Sequence, residues 1–157
     1  MSAPDPSHFK EVLGHFVTGL VIVTAATAEG PAGFTCQTFG SLSLEPPMVL
    51  FAATSSGRSW ERVRQSAVVA VNVLAAEQEP LARLFATSGI DKFAQVPWDA
   101  APGGSPLLAG ALAHLEGRIT GITTHGDHDV CTVEVSFAHA RHAHPLVYFR
   151  GGFGELA

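Results

Sequence analysis

A chain of 157 residues with 46% hydrophobic and 15% charged content suits one domain with a large core and carries too little charge for disorder. Fourteen acidic against nine basic residues, a net charge of -5, argue against a nucleic-acid surface, and Gly, Thr or Pro breaks every apolar run well short of a membrane span. Cys36 and Cys131 are too few for a disulfide framework, and residues 1–6 lack the layout of a signal peptide, so the expectation is a cytoplasmic protein with free thiols.

Asp5-Pro6 reads as a helix cap followed by an N1 proline, with Phe9, Val12, Leu13 and Phe16 at helical spacing and Gly19 as the stop. Residues 20–24 are short, apolar and β-branched, and Gly30-Pro31 turns the chain into a strand of unusual polarity, 33–44. On an extended chain Thr35, Gln37, Phe39, Ser41 and Ser43 share one face, while Phe34, Cys36, Leu42 and Leu44 share the other. That polar face is either a solvent-facing edge or a ligand cradle. Residues 47–53 read as its partner strand, 59–65 as a short helix and 68–74 as a buried strand. A second helix runs through Leu81, Leu84 and Phe85 and stops at Ser88-Gly89. Residues 88–107 form a long connection rich in Gly and Pro, a length that is often functional. Two longer strands follow, 112–122 and 130–139, and 145–149 closes the set. In the second, Cys131, Val133, Val135 and Phe137 alternate with polar residues, which places Cys131 in the core. Some six or seven strands without regular βαβ alternation predict a mainly β, closed antiparallel barrel formed by one domain over residues 1–157.

Several short segments, each weak alone, acquire meaning through their order and spacing. They are the opening 16–24, the polar strand with Pro46-Pro47, Asp91-Lys92-Phe93, Pro106-Leu107-Leu108 with Ala111-Leu112-Ala113, Gly126-Asp127-His128, and Pro145-Leu146-Val147-Tyr148. Over nearly the full chain this pattern resembles the flavin reductase family, the small reductase components of two-component flavin monooxygenases. The resemblance implies an antiparallel Greek-key split β-barrel with a few short helices. It also implies transfer of hydride from NADH or NADPH to FMN or FAD, a homodimer with flavin sites near its interface, and a separate flavin-dependent monooxygenase as partner.

By the same resemblance Thr35, Cys36, Gln37 and Thr38 line the flavin ring and ribityl chain, Ser41 and Leu42 continue that wall, and Ala52, Ala53 and Thr54 approach from the neighbouring strand. The ring's acceptor-rich edge suits backbone N–H groups and neutral side-chain donors. Arg58 and Ser59 would meet the flavin phosphate; the plainer reading is a capped surface helix. Lys92 and Phe93 would close over the nicotinamide, or else anchor a packed loop. His128 is the catalytic candidate, on the nicotinamide side, unless Gly126-Asp127-His128 is only a hairpin turn. Gln37 and Thr38 depart from the family's usual Asn and Ser or Ala, and Phe153 stands where Tyr is common. No metal is expected, since the histidines at 139, 142 and 144 lack acidic or Cys ligands at a metal-binding spacing. No phosphate-binding GxxxxGK[ST] loop or hydrolase GxSxG elbow occurs, and Gly152-Phe153-Gly154 opens no helix. The rival reading is a flavin carrier of the same fold that reduces nothing.

Overall fold

β-Branched and apolar alternation dominates the first half of the chain, and the computed structural model, which describes residues 1–156, pairs those segments antiparallel throughout. The strands are β1 (Thr18–Gly19), β2 (Val21–Thr27), β3 (Gly30–Cys36), β4 (Phe39–Leu44), β5 (Pro47–Thr54), β6 (Val68–Val73), β7 (Trp98–Ala100), β8 (Pro106–Leu108), β9 (Ala113–His125), β10 (His128–Ala140), β11 (Leu146–Phe149) and β12 (Gly152–Glu155). The helices are α1 (Pro6–Leu13), α2 (Arg58–Val63) and α3 (Glu79–Ala86). Seven strands form one sheet in the order β3-β2-β6-β9-β10-β5-β4; β1-β11-β12 and β7-β8 form two small ones.

β3 and β4 stand at opposite ends of that order, yet only Gln37 and Thr38 separate them. The large sheet must therefore curl until its edges meet. Ala52 N donates to Thr38 O at 3.0 Å, and the Cys36 thiol donates to Thr38 O and Ala52 O, both at 3.2 Å, across this seam. The fold is the split barrel that the resemblance implied. The polar stretch 33–44 is consequently two strands rather than one. Its expected common face is lost at the crossing, and a second register shift follows between Ser41 and Ser43.

β2 is buried on both faces from Val21 to Ala25, which accounts for a run in which Thr24 is the one polar residue. Val21, Val23 and Ala25 face the barrel interior with Phe51, Trp60, Val69, Val71, Cys131 and Val133, whereas Leu20 and Ile22 pack outside against Ala82 and Phe85 of α3, Leu108 and Leu146. Each large side chain so buried contributes about 1.5–3 kcal/mol. β9 and β10 join through Gly126-Asp127, with Gly126 at φ 62°, a two-residue turn that sets His128 opposite Thr54 of β5.

Two expected boundaries shift. α1 ends before Gly14, with Asp5 Oδ2 accepting from the Ser7 and His8 backbone N–H groups, and Phe9, Val12, Leu13 and Phe16 remain exposed. The connection 88–107 contains the β7–β8 hairpin, held by buried polar groups rather than by apolar periodicity. Thr24 Oγ1 donates to Pro106 O at 2.6 Å, Leu108 N donates to Asn72 Oδ1 at 2.8 Å, and Glu116 accepts from Gly103 N and Ser105 N at 2.6 and 3.0 Å.

Gly33 permits β3, β2 and α3 to pack closely: a Cβ there would lie 2.8 Å from Val23 O and 3.1 Å from the Phe85 ring. Gly33→Ala is expected to lower stability by about 1–3 kcal/mol. Urea unfolding measures this, and an unchanged midpoint would show that β3 can move away from β2 without loss.

Candidate active site

The seam, the end of β5, the start of α2, the end of α3 and the β9–β10 turn converge on a cleft of about 360 Å³. Its walls include Thr35, Cys36, Gln37 and Thr38 from the seam, Ala52, Ala53 and Thr54 from β5, then Arg58, Ser59, Lys92 and His128. Residues from segments as distant in sequence as Thr35 and His128 thus surround one space. Four candidates lie elsewhere. Ser41 and Leu42 are exposed on β4, beyond the crossing that breaks the strand. Phe93 lines an adjoining chamber of about 530 Å³, and Phe153 borders another cleft of about 500 Å³ together with Thr35 and Gln37. Phe153 packs edge-on to Tyr148, with the Arg83 guanidinium 4.6 Å above its ring.

The hydroxyls at the seam divide their duties. Thr35 Oγ1 donates to Ala82 O at 2.5 Å, so this group ties β3 to α3 and is not the free ligand donor that the polar face suggested. Burial pushes the Cys36 thiol up to about 11, leaving it a neutral donor to backbone carbonyls. Gln37, Thr38 and Thr54 are exposed at the cleft, and their side chains make no hydrogen bond among the described residues.

Lys92 reaches back from the long connection to donate to Phe85 O at 2.8 Å and to Gly33 O and Ser59 Oγ at 3.1 Å. Partial burial holds its pKa below the ordinary lysine value. The loop-anchor reading therefore describes its contacts, while its charge stands beside Arg58 and Ser59. The Arg58 guanidinium makes no ion pair or hydrogen bond among the described residues. No carboxylate lines this cleft, although the chain carries an acidic excess. His128 Nδ1 lies 2.7 Å from Asp127 Oδ1, and that contact holds the Asp127 carboxyl below its usual range.

Asp129 was not singled out by the sequence, yet it organises the rim. Its buried carboxylate accepts from Trp60 Nε1 at 2.8 Å, Thr124 Oγ1 at 2.8 Å, Ser55 Oγ at 3.0 Å and Arg64 at 3.0 Å. One side chain thus links β9, β10, the turn before Arg58 and the body of α2. No periodicity marks it, because its four partners come from distant segments. Gly57, Ser88 and Ala86 also line the cleft unheralded; Ser88 had a signal only as a helix stop.

Among the described residues no three His, Cys, Asp or Glu side chains gather as a metal site. The arrangement suits a flat ligand with a neutral, hydrogen-bonding ring and an anionic tail, enclosed by an antiparallel split barrel. Comparison with known proteins gives that class a family. Residues 13–157 match the model of the flavin reductase like domain. The chain is 43% identical over 152 residues to the reductase subunit HsaB of a flavin-dependent monooxygenase from Rhodococcus jostii, spanning 96% of this chain and 78% of that protein. It is 36% identical over 149 residues to the FMN reductase (NADH) SmoA of Agrobacterium fabrum, spanning 95% and 85%. The solved structure of the Streptomyces globisporus NADH:FAD oxidoreductase SgcE6 in complex with NAD and FAD fragments superposes with a TM-score of 0.92 at 34% identity, covering 100% of this chain and 98% of that one. This chain belongs to the flavin reductase family.

The Asp129 network makes a pH prediction. Hydrogen bonds from Trp60 and Thr124 lead the effects that hold its carboxyl below 3.8 in the folded protein. Its stabilisation is therefore full above the unfolded carboxyl pKa and is lost as pH falls through the lowered folded value. Asp129→Asn should lower the Tm at pH 7, with the deficit narrowing below about pH 4. Thermal unfolding at both pH values tests this; a deficit independent of pH would place the cost in geometry, not charge.

Proposed function

We propose that this protein is an NAD(P)H-dependent flavin reductase that transfers hydride from reduced nicotinamide to FMN or FAD and supplies reduced flavin to a separate monooxygenase. The carboxylate-free cleft that ends at Arg58, Ser59 and Lys92 carries this reading, because it offers neutral contacts at one end and positive charge at the other. Bound flavin supplies the hydride acceptor and reduced nicotinamide the donor. The chain binds and orients both: Thr38, Gln37 and Thr54 present neutral polar groups, and Arg58 with Lys92 offsets phosphate charge. His128, half-exposed at the rim opposite Thr54, positions the nicotinamide without a proton-transfer duty. No nucleophile or proton relay is required.

The partner oxygenase is inferred from the relatives' names, and a homodimer from the apolar residues that α1 and the segment after it leave in solvent, Phe9, Val12, Leu13 and Phe16, the last at 75% exposure. Leu13, Phe16, Val17 and Phe39 border an apolar hollow of about 630 Å³ that also touches Gln37 and Thr38, so a second copy seated there would lie close to the cleft. A cytoplasmic setting agrees with two buried free thiols, and no described helix is long and apolar enough to cross a membrane. The whole chain acts as one domain.

Oxidation of NADH and NADPH with FMN or FAD added separates this reading from a carrier, which would bind flavin without consuming nicotinamide. Arg58→Ala should weaken FMN and FAD by about 1 kcal/mol or more, roughly fivefold, while leaving riboflavin nearly unchanged. Equal losses for all three in fluorescence titrations would place Arg58 outside the phosphate site. His128→Ala should keep most flavin affinity but slow anaerobic flavin reduction or raise the apparent KM for NAD(P)H. Identical stopped-flow rates across the nicotinamide range would reduce His128 to a turn residue.

A further inference from the structure

Arg58 and Ser59 reach the cleft from the first turn of α2, and that helix has little of its own to hold them there. It is six residues long, and its N-cap, Gly57, brings no side chain to the free backbone N–H groups. Its placement comes from outside. Ser55 Oγ, ahead of the helix, and Trp60 Nε1, within it, donate to the two oxygens of Asp129 at 3.0 and 2.8 Å, and Arg64, the C-cap, adds a bond at 3.0 Å. The same carboxylate accepts from Thr124 Oγ1 at 2.8 Å, across the β9–β10 pair that adjoins His125 and His128. A backbone bond follows the same route, since Ser55 N donates to Asp127 O at 3.0 Å. Asp129 itself is 1% exposed and does not line the cleft; in β10 its side chain lies on the face opposite that of His128.

We propose that Asp129 is a positioning residue for hydride transfer: it joins the start of α2 to the His128 turn, so that flavin phosphate held at Arg58 tightens the binding of nicotinamide at His128. The inference rests on the flavin reductase reading above and deepens it by coupling its two subsites. Both ends of the linked unit are open to a ligand. The Arg58 guanidinium has no partner among the described residues, and Asp127 and His128 have side chains 93% and 45% exposed. A phosphate on Arg58 and Ser59 fixes the first turn of α2, and through Ser55, Trp60 and Asp129 it also fixes the β9–β10 turn. Nicotinamide that docks afterwards orders less of the chain, and by linkage bound nicotinamide tightens phosphorylated flavin in return.

Steady-state oxidation of NADH by the full chain, with riboflavin or FMN as saturating acceptor, tests the coupling. In the wild type the apparent KM for NADH should be about fivefold lower with FMN than with riboflavin. Ser55→Ala removes one bond to the carboxylate, and Asp129→Asn leaves a single acceptor oxygen for four donors. Each should bring that ratio toward one by raising the KM measured with FMN, while kcat stays within about twofold. In an Arg58→Ala background, where the phosphate contact is already gone, Ser55→Ala should leave the ratio unchanged. If Asp129→Asn does not fold, Ser55→Ala decides alone. A wild-type ratio near one overturns the coupling, as does a ratio that survives in the folded variants. Equal rises in KM with both flavins also overturn it and leave Asp129 a purely structural role. If the wild type oxidises NADH with neither flavin, the reductase reading itself falls and takes this inference with it.

Discussion

Two residues, Gln37 and Thr38, carry the chain from one edge of a seven-stranded sheet to the other. So short a link cannot span an open sheet, and the sheet therefore has to curl into a barrel whose seam lies at that link. The seam is also the floor of the cleft. Barrel closure and the shape of the cleft thus depend on the same few atoms: the Cys36 thiol and the Ala52 amide bond across the join, while Gln37 and Thr38 keep their side chains exposed at the cleft. A raised thiol pKa is part of this arrangement, because Cys36 serves the seam as a neutral donor.

Around that barrel, buried polar side chains decide where the irregular segments go. Asp129 draws the turn before Arg58, the Trp60 indole and Thr124 onto one carboxylate, so the cationic end of the cleft and the His128 turn share a support. Asn72 and Thr24 do the same for the β7–β8 hairpin, and Lys92 for the segment that crosses α3. Buried groups of this kind are costly when unpaired, so each also selects one placement of the loop it holds.

The electrostatics follow from placement rather than composition. A net charge of -5 would repel a phosphate at long range, yet Arg58 and Lys92 face a cleft from which carboxylates are missing. Local field and net charge have opposite signs, and at hydrogen-bonding distance the local one prevails because screening removes distant charges within about 10 Å. Across the wall formed by Arg58, Ser59, Ser88 and Lys92, the neighbouring chamber does carry carboxylates, Glu29 and Asp91, so the absence is particular to this cleft.

Strand content, most element positions and the family were legible in the sequence because they rest on local regularities. Alternation from Cys131 to Phe137, the apolar run of β2 and the Asp5-Pro6 cap are each written within a few residues. The resemblance also gathered eleven candidates that do share the cleft, Thr35 through Thr38, Ala52 through Thr54, Arg58, Ser59, Lys92 and His128. What periodicity could not reveal was the break in the polar stretch after Cys36. An extended pattern reads the same whether its two halves lie in one strand or on opposite edges of a sheet, and only closure of the barrel distinguishes them. Ser41 and Leu42 left the cleft for that reason. Likewise, Thr35 is as polar in a ligand contact as in a tie to Ala82, and Asp129 is an ordinary acidic residue until Trp60, Arg64 and Thr124 surround it. Sequence determined which residues could bond; the tertiary structure decided their partners, because those partners approach from segments that no local pattern connects.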